Sequence, residues 1–193
     1  MDLEKIIPPL EFIARSYPPA WQMLAKLVDE ADADSSVSRA TEYLRRYLQT
    51  QPADEAATEA WQRLVDLYKK SNDPVGASGA FISAAKISEA EIDEISNMAN
   101  YLNHASEVIG SMDVTERSAL FMPLATLLEA RLGEASATDL SRLSWLYLHC
   151  GNETRAMEMA ELGLDRDPTN IHCSRIVAKL TDDAQWGRSG RSR

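Results

Sequence analysis

Between residues 20 and 180, apolar side chains recur every three or four positions, and short polar turns separate the stretches. One stripe holds Leu24, Leu27 and Val28, and the next holds Ala40, Leu44 and Tyr47. Trp61, Leu64, Val65 and Tyr68 follow, then Ala77, Phe81 and Ala84. Ile92, Ile95, Ala99, Leu102 and Ile109 continue the pattern, as do Leu140, Leu143 and Tyr147, and then Ala156 and Ala160. This period places apolar residues on one face of successive amphipathic helices. No Val/Ile-rich alternating run is present and glycine is scarce, so the expected fold class is all-α.

The turns divide these helices into pairs. Asn72-Asp73-Pro74 makes one turn, with Pro74 suited to the first helical position. Asp32-Ala33-Asp34-Ser35-Ser36 makes another, polar enough to cap the helix after it. Gly110 closes the Ile92 helix, and Asp113-Val114-Thr115-Glu116 opens one that runs to about Leu132. Four helical hairpins result, over 20–50, 55–88, 91–132 and 137–167, with a capping helix at 170–181. Residues 1–19 form an N-terminal cap, in which Pro8-Pro9 and Pro18-Pro19 bracket a short helix from Leu10 to Tyr17. Residues 182–193, polar and rich in arginine, are expected to fray as a tail.

The fourth pair carries the densest motif. It reads L-x2-L-S-x2-Y-x3-G-N-x3-A-x3-A-x2-G-L-x3-P from Leu140 to Pro168. Leu140, Leu143, Ser144, Tyr147, Ala156, Ala160, Gly163 and Pro168 fill, in order, the signature places of the tetratricopeptide repeat, which this segment resembles. Trp61-x2-Leu64-Val65-x2-Tyr68 with Ala77, Phe81 and Ala84 gives a second match, although Glu89 stands where the closing proline belongs. A third match ends at Pro52, and 91–132 reads as a degenerate, elongated repeat. The resemblance implies an α-solenoid of about four such hairpins with a C-terminal capping helix, because one hairpin cannot bury its apolar stripe alone.

The resemblance also implies that the first helix of each hairpin lines a concave groove. Its lining falls in four parallel sets: Lys26 with Asp29 and Ala33; Arg63, Asp66 and Lys70; Asn97, Asn100 and His104; and Arg142, Trp145 and His149. Such a wall is basic and amide-bearing on an acidic chain, which suits an acidic or amphipathic segment. The same residues also fit an ordinary solvated face. Trp145 is either an exposed anchor or packed against the helix from Ile171 to Leu180. Arg142 fits the arginine place of the family's two-carboxylate clamp, but Ala25 and Asp29 replace its first lysine and asparagine.

Charge narrows the partners. The chain of 193 residues carries a net charge of −10, and three of its arginines crowd the last six positions. A body this acidic repels phosphate backbones and anionic lipid, so no nucleic-acid or membrane partner is expected. The start lacks a basic segment followed by an apolar run, and the two cysteines are then expected to be free thiols in the cytoplasm. His149-Cys150 and His172-Cys173 pair two ligand types that zinc favours. Neighbours on a helix diverge by about 100°, so no metal or other cofactor is expected there. No phosphate loop, nucleophile elbow or zinc-protease motif appears, and the chain is not expected to be an enzyme. The apolar run from Ala119 to Leu128 is either enclosed in the third hairpin or forms a homodimer interface. The function expected is protein–protein interaction, as an adaptor or assembly chaperone. The alternative is a regulatory or peptide-sensing domain controlling an enzyme.

Overall fold

The computed structural model describes residues 3–31 and 36–189, with the backbone alone for Leu3 and for 183–189. Among these residues there are eleven α-helices and no strand. They are α1 (Leu3–Ala14), α2 (Pro19–Asp29), α3 (Ser36–Gln49), α4 (Asp54–Lys70), α5 (Pro74–Ala85), α6 (Ile92–His104), α7 (Ser106–Gly110), α8 (Val114–Glu129), α9 (Ala137–His149), α10 (Glu153–Arg166) and α11 (Ile171–Ser189). The chain divides into two compact units, Met1–Glu89 and Ala90–Arg193, at the join between the second and third expected hairpins. The expected turn at 32–35, the groove position Ala33 and the last arginines lie outside the described residues, as do the side chains of Trp186 and Arg188.

In the first unit each helix packs on its neighbour, α1 on α2, α2 on α3, α3 on α4 and α4 on α5. Most of the predicted stripes form its core: Leu24, Val28, Ala40, Leu44, Tyr47, Leu64, Val65, Tyr68, Ala77 and Ala84 are buried, whereas Leu27, Trp61 and Phe81 are half-buried. Trp21 stacks on Tyr43 with ring centroids 5.7 Å apart, and the Tyr43 hydroxyl donates to Glu11 Oε1 at 2.6 Å. Those two contacts tie α1, α2 and α3 together. Burial, helped by the hydrogen bond to Glu11, raises the Tyr43 phenol above its ordinary pKa.

In the second unit α9 is the hub, packed by α6, α8, α10 and α11. Leu140, Leu143, Leu146 and Tyr147 on α9 are buried, and each such side chain contributes about 1.5–3 kcal/mol. Ser144 adds a hydrogen bond from its hydroxyl to the Ala156 carbonyl of α10 at 2.5 Å. Phe121, Leu124, Ala125 and Leu128 of α8 are buried, whereas Ala119, Met122, Pro123 and Thr126 are exposed. The apolar run is thus enclosed along one face. Pro123 costs this helix little, because the Ala119 carbonyl it leaves without an N–H lies on the exposed side.

The hairpins α4/α5 and α9/α10 close with the same turn. Asn72 and Gly151 take left-handed φ values of 55° and 72°. The next N–H reaches back to the tyrosine carbonyl, from Asp73 to Tyr68 at 2.8 Å and from Asn152 to Tyr147 at 2.9 Å. This is the Schellman arrangement, which satisfies helix-end carbonyls. Asp73 and Asn152 then cap the following helices, accepting from the N–H groups of Gly76 and Arg155.

Three boundaries differ from the sequence reading. The first helix is not Leu10 to Tyr17: it starts at Leu3 and runs through Pro8 and Pro9. Its packing stripe is Ile7, Glu11 and Ala14, so it must begin before Ile7, while both prolines sit on the exposed side. The helix expected to run from Ile92 to Gly110 breaks at Ala105, between the poor helix formers Asn103 and His104 on one side and Ser106 on the other, and Ile109 is buried from the short α7 instead. The capping helix passes 181 and continues to Ser189, there being no proline in that stretch to stop it.

Gly163 decides how closely α10 and α11 approach, because a Cβ built on it collides with the Cys173 sulfur. Gly163→Ala is expected to lower stability by about 1–3 kcal/mol. In a Cys173→Ala background the same change is expected to cost less than about 1 kcal/mol, since the remaining neighbours leave ordinary contact distances. Urea unfolding of the four proteins of this cycle measures the coupling.

Candidate functional site

Of the twelve groove positions expected from the sequence, seven line two depressions, two positions in the first unit and five in the second. In the first unit Lys26 of α2 and Arg63 of α4 line a depression of about 220 Å³, together with Met23 and Glu59. Its cations are largely engaged. Arg63 Nη2 lies 2.9 Å from Asp29 Oδ2, and Lys70 Nζ lies 3.3 Å from Asp29 Oδ1. Lys26 is 3.9 Å from Glu30, with both side chains well exposed. Half-exposed pairs of this kind add little stability, but they cancel much of the positive character expected of the wall. Asp66 is exposed to solvent and lines neither depression.

The second unit brings more together. Asn100, Asn103 and His104 of α6 line a depression of about 330 Å³. Across it stand Thr138, Ser141, Arg142, Trp145 and His149 of α9, with His172 from α11. Five expected residues therefore converge here: Asn100, His104, Arg142, Trp145 and His149. Asn97 is exposed outside the depression. Asn103, Thr138, Ser141 and His172 were not in the expected groove. Thr138 and Ser141 follow from carrying the Arg142–Trp145–His149 face one turn toward the start of α9. His172 carries no such signal, because it comes from a different helix.

Arg142 is held from behind. Its Nη1 donates to Ser96 Oγ at 2.7 Å, and Ser96 in turn donates to the Asp139 carboxylate. The other Asp139 oxygen accepts from the Ser136 N–H at 2.8 Å and from its hydroxyl at 2.7 Å, the capping box that starts α9. Burial by itself pushes the Asp139 carboxyl up. The hydrogen bonds from Ser96 and Ser136, with the charge of Arg142, outweigh it and hold the carboxyl below its ordinary 3.8. Asn103 Nδ2 donates to the Arg142 carbonyl at 3.4 Å, joining α6 to the same residue.

The aromatic wall is continuous. His149 stacks on Phe121 with centroids 4.7 Å apart, and Trp145 sits 6.3 Å from His149. Trp145 is half-buried, so part of its ring is packed and part faces the depression. Burial, with the nearby Arg117 charge, lowers the His149 pKa and so favours the neutral imidazole. Burial raises the thiols of Cys150 and Cys173, and both cysteines are free. No group of three or more His, Cys, Asp or Glu among the described residues is arranged to hold a metal ion. No described helix is long and apolar enough to cross a membrane. Such a surface can grip an anion with Arg142, bond a peptide backbone with its amides and cover an apolar side chain with Trp145.

No family model matches this sequence, and no curated protein matches it.

Asp139 sets a pH dependence. Its folded pKa lies below 3.8, so the stability it contributes is complete above about pH 5 and is lost as pH falls through the folded value. Asp139→Asn is expected to destabilise the protein by about 1–2 kcal/mol at pH 7. The gap to wild type should narrow below about pH 4, where the wild-type carboxyl also protonates. Urea titrations at pH 7 and pH 3 measure both values.

Proposed function

We propose that this chain is a protein-interaction module of tetratricopeptide-like hairpins, the kind that stack into an α-solenoid, and that it holds an acidic or amphipathic segment of a partner protein. Adaptor or assembly chaperone is the role this reading favours. The observation that carries it is the depression of the second unit. Arg142, two asparagines, a tryptophan and three histidines line it, with no carboxylate, on a chain whose net charge is −10. Opposite potentials of this sort steer partners and set specificity. The repeated turn of α4/α5 and α9/α10 supports the hairpin reading. So does the packing of α9 on both helices flanking α7, since in stacked hairpins each first helix touches the pair before it.

A displayed peptide library selected on the purified protein tests this proposal. Enriched sequences are expected to combine Asp or Glu with a neighbouring apolar residue. Arg142→Gln and Trp145→Ala, checked for native helicity, should each weaken binding about tenfold or more. Selection of basic sequences, or binding unchanged in both variants, overturns it.

A further inference from the structure

The chain has three histidines, and all three line the same depression in the second unit. Imidazole is the side chain whose charge changes between pH 5 and 8, so this surface can change its charge where the rest of the protein does not. We propose that the depression is a carboxylate site coupled to proton uptake, gripping an acidic segment tightly when its histidines are charged and releasing it as they become neutral. This rests on the acidic-segment reading given above.

The geometry assigns each group a part. Arg142 keeps its charge at every pH and supplies the constant attraction. His104 Nδ1 lies 2.8 Å from the Asn100 carbonyl, which can only accept, so Nδ1 carries the hydrogen and Nε2 is the atom left for a ligand. His104 and His172 are exposed, one on α6 and one on α11, the two helices that pack on α9 beside the depression. His149 plays another part: stacked on Phe121, with burial and the Arg117 charge from α8 lowering its pKa, it serves mainly as wall. From α9 the charged groups are Arg142 and Asp139, and both oxygens of Asp139 already accept from Ser96 and Ser136. From α6 the remaining lining groups are amides. No lining carboxylate competes for the new protons. A bound acid therefore favours the charged imidazoles, and charged imidazoles favour the acid by the same factor.

Hexaglutamate capped at both ends is the probe, titrated calorimetrically into the full chain at pH 5.5, 6.5 and 7.5 in two buffers of different ionisation enthalpy. Binding at pH 5.5 should be about tenfold tighter than at pH 7.5, with net proton uptake of about one. The His104→Gln, His172→Gln double variant should bind with an affinity nearly independent of pH, and Arg142→Gln should lose binding throughout. Equal affinity at pH 5.5 and 7.5 in the wild type overturns the proton coupling and leaves the acidic-segment reading intact. A pH dependence that survives in the double variant does the same. Absence of hexaglutamate binding at pH 5.5 overturns the carboxylate site itself, and the acidic-segment reading then rests on the peptide selection alone.

Discussion

Helix α9 is packed by four other helices, and that enclosure sets the chemistry the second unit can offer. Leu140, Leu143, Leu146 and Tyr147 commit most of its circumference to the core. Ser144 gives a small, hydrogen-bonded contact to α10. What remains open is the strip from Thr138 through Arg142 and Trp145 to His149, and it faces α6 and the start of α11. A helix buried so thoroughly is rigid, so side chains on its one open strip hold fixed positions.

The same enclosure explains why a capping residue and a candidate binding residue share one network. Asp139 starts α9 by accepting from Ser136, and its second oxygen takes the Ser96 hydroxyl that also receives Arg142. A buried carboxylate without these donors would be costly. With them it fixes the start of the helix and one arm of the guanidinium, so the folding contact also orients the residue that faces the depression.

The first unit shows how similar residues can reach a different result. Its α2 and α4 present Lys26, Arg63 and Lys70 on comparable faces, yet Asp29 draws Arg63 and Lys70 to itself. Charge counted by residue type therefore overstates the positive field there. In the second unit the Asp139 carboxylate is occupied by two serines, and Arg142 remains at the lining surface.

The helices, the turns and most of the core were legible in the sequence because each depends on residues within one turn of one another. The stripe of Leu64, Val65 and Tyr68, the Asp73 cap ahead of Pro74 and the left-handed Gly151 follow from helical period, capping chemistry and the missing Cβ. Five of the twelve groove residues likewise fell together in one depression, since they lie on two helix faces whose period is fixed. Local rules failed where a distant contact decided: Ile7 draws α1 back through two prolines, and Ser96 meets Arg142 across 46 positions of sequence. His172 joins His104 and His149 only because α11 folds back against α9, and Gly163 is needed only because Cys173 lies against it. Periodicity determines which face of a helix is polar, but only the packing of one helix on another decides which polar faces meet and which charges remain unpaired.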